Sequence, residues 1–153
     1  MHGSRSGSTV PQTPQALHNE FVGTANYAVG QVDGLGWNAT IGDDEISVHM
    51  AYSVWGWNAR GASDDFLGVE FAQAREDWAV TDGQVRAFCW FFMQARKVWP
   101  GLAMYFPTHA DLDGTPIYGG ITDGKTDVFR KYSPESVALR GRIAQRFSDL
   151  GYQ

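Results

Sequence analysis

Between Asp65 and Gly101 the repeat of apolar residues changes from two to about 3.6, which demands a strand followed closely by a helix. In DFLGVEFAQ, Leu67, Val69 and Phe71 alternate with Gly68, Glu70 and Ala72, so the strand has two unlike faces. Thr81 with Gln84 three positions later then forms a capping box. Val85, Phe88, Cys89, Phe92 and Trp99 follow as one apolar helical face, which Pro100-Gly101 ends. A strand that leads into an amphipathic helix buries its apolar face by lying under it, which predicts a layered α/β arrangement.

The flanking segments extend this pattern. Thr13-Pro14 starts a helix expected over about 14–29, with Leu17, Phe21, Ala25 and Ala28 at helical spacing. WNATIG and EISVHM read as short strands around Gly42-Asp43-Asp44, a hairpin turn. LAMYFP reads as another strand leading directly into His109. Ser133-Pro134-Glu135 opens a last helix with Leu139, Ile143, Phe147 and Leu150 inward and Gly151 at its end. Residues 1–12 are small and polar and read as an N-terminal loop. The expectation is one α/β domain over 1–153, with a central mixed β-sheet flanked by helices.

Charge removes some functions. With 12 Lys+Arg against 17 Asp+Glu the net charge is −5, which provides no basic footprint for nucleic acid and no polybasic route to a membrane. No run is apolar enough for a membrane span, and the polar N-terminus is not a signal peptide, so synthesis in the cytoplasm is expected. The single cysteine, Cys89, excludes an intramolecular disulfide and a Cys-cluster zinc site, and its place in FCWFFM reads as core.

Several polar residues stand out. Lys125 and Asp127 flank Thr126; in an extended segment both side chains face one way, while in an exposed loop they form only a weak ion pair. His109 opens a glycine-rich loop, as either a hydrogen-bonded strand end or part of a site. Glu70, mid-strand among small residues, is expected to be partly buried, which calls for an arginine partner or a chemical use. His49 reads as a sheet-face residue of EISVHM, and His18 flanks the first helix. Trp37, Trp55 and Trp57 either stack on a ligand or pack in the core.

The ordered series HGSRSG, LGWNATIG, GWNARGAS, LGVEFAQ, FPTHADLDGTP and DGKTDVF spans almost the whole chain. It resembles the zinc-dependent N-acetylmuramoyl-L-alanine amidases, the type 2 amidase and peptidoglycan-recognition-protein family, and within it endolysin domains of phage or actinobacteria. By position, the resemblance implies His2, His109 and Asp127 as ligands of one Zn2+, Glu70 as the catalytic acid–base and Lys125 as the oxyanion-stabilising residue. Trp37, Trp57 and Asn58 correspond to substrate-side positions. The implied reaction hydrolyses the amide between N-acetylmuramic acid and L-alanine of bacterial peptidoglycan, as a monomer acting on the cell wall after lysis or another route of export. A muropeptide-binding module of the same fold that cuts nothing is the alternative.

Departures from the family's pattern accompany the likeness. Trp37 stands where many relatives have a tyrosine, so no hydroxyl is expected there. Trp57-Asn58-Ala59 replaces a frequent Trp-His-Ala. The strand that precedes the first ligand in the family is expected to be missing, which leaves His2 near a frayed end, zinc weakly retained and His18 as the fallback ligand.

Overall fold

The computed structural model describes residues 2–5, 37–53, 65–73, 79–112 and 133–152. The alternating run around Glu70 forms a strand, and three further short strands join it. They are β1 (His2–Arg5), β2 (Ala39–Gly42), β3 (Glu45–Val48) and β4 (Val69–Gln73), in the order β1-β4-β2-β3. β4 pairs parallel with both β1 and β2, while β3 closes the antiparallel hairpin with β2. The sheet is therefore mixed, and the helices α1 (Asp82–Val98), α2 (His109–Leu112) and α3 (Pro134–Asp149) complete the described elements. Among the described residues no helix is long and apolar enough to cross a membrane.

The two-residue period sorts the sheet into an apolar and a polar face. Ala39, Ile41, Val69 and Phe71 are buried in one core with Val85, Phe88, Phe91 and Phe92 of α1. The rings of Phe71 and Phe88 meet at 5.7 Å between centroids. From α3, Leu139, Ile143 and Phe147 enter the same core. Cys89 is fully buried there, and burial pushes its thiol up to about 11, consistent with packing rather than nucleophilic use. Thr40 and Glu70 fall on the opposite face by strand alternation.

The start of α1 is tied to the sheet by its own cap. Thr81 and Gln84 form the reciprocal capping box. Gln84 Nε2 also donates to Ala72 O at 2.8 Å and to Ile41 O at 3.3 Å, so one buried amide joins α1 to β4 and β2. Gly83 is required here by closeness: a Cβ would lie 1.9 Å from Asp43 Oδ1 and 2.9 Å from Asp44 N. In the hairpin turn Asp44 takes a φ of 56°, a left-handed conformation that aspartate tolerates better than most residues. Arg86 pairs with Asp44 and holds its carboxyl below the usual range. We predict that Gln84→Met lowers unfolding free energy by about 1–3 kcal/mol, because three backbone groups lose a partner at once. Chemical denaturation checks this, and an unchanged midpoint would remove the amide from the account.

Several expectations need correction. LAMYFP is not a strand: its Leu102 and Phe106 pack against the core, and no strand among the described residues pairs with it. His109 therefore begins a helical turn, not a strand's end. Residues 2–5, expected within a loop, form β1, because the edge of β4 supplies the hydrogen bonds that their sequence does not signal. Trp99 and Leu150 turn outward, as the C-caps of α1 and α3, while Gly151 takes the left-handed φ of 76° that ends α3. EISVHM is shorter than expected, and His49 lies just past β3. The helix expected over 14–29 lies outside the described residues.

Candidate functional site

The polar face of the sheet is organised around β4. Glu70 stands at mid-sheet, in register with His2 of β1 on one side and Thr40 of β2 on the other. Ser47 of β3 continues the same row beside Thr40. Glu70 is half-buried, as expected from the small residues beside it. The ladder thus places the carboxylate's residue next to His2, a neighbour that is distant in sequence and adjacent only through β-pairing.

Thr40 is fully buried and engaged on both sides. Trp37 Nε1 donates to Thr40 Oγ1 at 2.8 Å, and His49 Nε2 lies 2.7 Å from the same oxygen. The Trp37 and His49 rings meet edge to face, 5.8 Å apart. Trp37 therefore commits its one polar atom to the protein and offers a ligand only ring surface. Asn38 holds this corner together: its Oδ1 accepts from Gly68 N at 2.9 Å and its Nδ2 donates to Ala51 O at 3.2 Å.

His109 is 5% exposed and is the first residue of α2. The turn exists because Thr108 and Asp111 cap it. Asp111 Oδ2 accepts from Thr108 N and from Thr108 Oγ1, both at 2.9 Å, and Asp111 N donates to Thr108 Oγ1 at 3.2 Å. His109 also lines a cavity of about 140 Å³, bounded by Val69, Phe88, Phe92, Phe106 and Leu112. Its lining is mostly apolar, with Asp65, Thr108 and His109 among the wall residues.

The structure brings His2 into register with Glu70 and joins Trp37, Thr40 and His49 by hydrogen bonds. It places His109 on a cavity wall shared with Val69, on the core face of β4 opposite Glu70. Among the described residues no three His, Cys, Asp or Glu side chains are grouped as a metal site. Lys125, Asp127, Trp57, Asn58, Trp55 and His18 lie outside the described residues. Thr40, Asp111 and Arg140 escaped the sequence reading. Thr108 and Asp111 carried a signal nonetheless, since Thr-x-x-Asp is a helix-start pattern.

Comparison of the chain with family models, with curated proteins and with solved structures finds no match.

Proposed function

We propose that this chain is a zinc-dependent N-acetylmuramoyl-L-alanine amidase with the peptidoglycan-recognition type of fold, acting on bacterial peptidoglycan. The observation that carries the reading is the parallel pairing of β1 with β4, which sets His2 beside Glu70. The sequence likeness assigns those two residues to a metal ligand and its neighbouring acid–base. The mixed sheet against helices is compatible with it; the buried His109 lines the cavity on the Val69 face of β4, and Glu70 is on the other face.

The donor set fits zinc. Two imidazoles, His2 and His109, and one carboxylate, Asp127, suit a tetrahedral catalytic site with one position left for water. His109 is also held in a largely buried turn, as a ligand must be if its geometry is to persist. What zinc supplies when bound is acidification of a water and polarisation of the scissile carbonyl. Glu70 takes the proton from the attacking water and delivers it to the departing amine of L-alanine. Its half-buried position leaves the residue partly open to solvent. Lys125 places an ammonium against the charge that develops on the carbonyl oxygen.

Zinc content tests the metal assignment. Because His2 is held in β1 by pairing with β4 and is not at the frayed end expected from sequence, protein purified without a metal-affinity tag should carry about one zinc per chain by elemental analysis. Essentially none, even after zinc is offered, would favour the muropeptide-binding alternative instead. Lys125→Ala should retain the zinc and lose about 10²–10³-fold in turnover of cell wall, the usual loss when one oxyanion donor is removed. Wild-type turnover in that variant would take the role from Lys125.

A further inference from the structure

The turn that carries His109 is held by a group from the far end of the chain. A single helical turn has no stability of its own, since nucleation costs more than one turn's hydrogen bonds return. Here Asp111, only 11% exposed, receives Arg140 Nη1 from α3 at 2.5 Å. The same carboxylate oxygen, Oδ2, takes both donors of Thr108. Three donors from two segments thus converge on one atom, and His109 lies in the loop of chain they close. α3 is itself fixed by Leu139, next to Arg140, which is buried in the core.

We propose that Asp111 and Arg140 are positioning residues for His109: the Arg140–Asp111–Thr108 clamp sets the orientation of the His109 imidazole from α3. The inference rests on the proposed reading for what the imidazole is used for, but the clamp's effect on the ring is separable from it. The Thr108 donors are neutral and only the Arg140 bond has both partners ionised, so Arg140 supplies the strongest of the three bonds to Asp111 Oδ2. Asp111→Asn keeps the shape of the side chain and its capacity to accept from Thr108, and removes the charge that Arg140 meets. Arg140→Met removes the guanidinium while keeping an unbranched apolar stem at the same place on α3. Arg140→Lys keeps the charge and loses the planar fork.

The test uses the full chain and two readouts. The first is zinc affinity, by competition with a chromophoric chelator. Asp111→Asn and Arg140→Met should each bind zinc about tenfold more weakly, the low end of what loss of an outer-shell partner costs. Arg140→Lys should recover part of the loss. The double variant should be no weaker than either single one, because both remove one interaction. The second readout is the His109 ring in metal-free protein, by long-range proton–nitrogen NMR. It should give one sharp set of signals in the wild type and a broadened or doubled set in Asp111→Asn. Wild-type affinity together with an unchanged ring spectrum in Asp111→Asn would overturn the proposal. His109→Ala separates the two ideas: if it keeps wild-type zinc affinity, the ligand assignment fails, and the ring spectrum alone then decides the clamp.

Discussion

Glu70→Gln is expected to lose about 10²–10⁴-fold in the rate of cell-wall digestion, the range that a positioned general acid–base contributes. The substitution is nearly isosteric. Glu70 sits mid-strand with β1 on one side and β2 on the other, so its backbone is held by pairing that does not involve the carboxylate. Its half-buried side chain leaves an amide room for water. Far-ultraviolet circular dichroism and the unfolding midpoint should therefore match the wild type, and zinc should be retained. Wild-type digestion by this variant would mean that Glu70 serves the sheet alone. A variant that fails to fold would instead identify its charge as structural.

Phe147→Ala is expected to be the most damaging core substitution, at about 3–5 kcal/mol. Phe147 is 1% exposed and meets Phe92 of α1 at 5.3 Å, edge to face, and Phe106 at 5.7 Å, stacked. Phe106 in turn touches Phe88 and Phe92, both edge to face. One ring thus joins α3, α1 and the segment that leads into His109. Truncation leaves a cavity among the Phe92, Phe106 and Tyr152 rings. Against a typical total of about 5–15 kcal/mol this is a large share, and the thermal midpoint should fall by roughly 10 °C. A shift below about 2 °C would show that the aromatic cluster is not what fixes α3.

These effects reach the site through different kinds of interaction, and that difference decides what the sequence discloses. β4, α1 and α3 are legible because their signals are local. Alternation around Glu70, the Thr81–Gln84 box and Ser133-Pro134 each specify an element within a few residues. Cys89 as core follows from its neighbours in the same way. β1 is not legible, since His2–Arg5 has no apolar pattern and becomes a strand only by pairing with β4. The run 102–107 misleads for the converse reason: a short apolar stretch signals burial, and burial is satisfied here by Phe106 among aromatic rings without a ladder.

At the site, Glu70 is legible because it is a carboxylate mid-strand between the small residues Gly68 and Ala72. The partial burial expected of it is what the structure shows. The Thr40–His49 contact and the Arg140–Asp111 pair were not visible, because each joins elements that only the fold brings together. Trp37 was read as either ligand-facing or core, and its bond to Thr40 gives it an internal anchor.

The most direct measurement of the proposed function is mass spectrometry of purified peptidoglycan digested by the wild-type chain. The account predicts release of intact stem peptides that begin with a free L-alanine amine, with the lactyl carboxylate left on N-acetylmuramic acid. Stem fragments that remain attached to the sugar, or a wall left uncut by zinc-loaded protein, would contradict it.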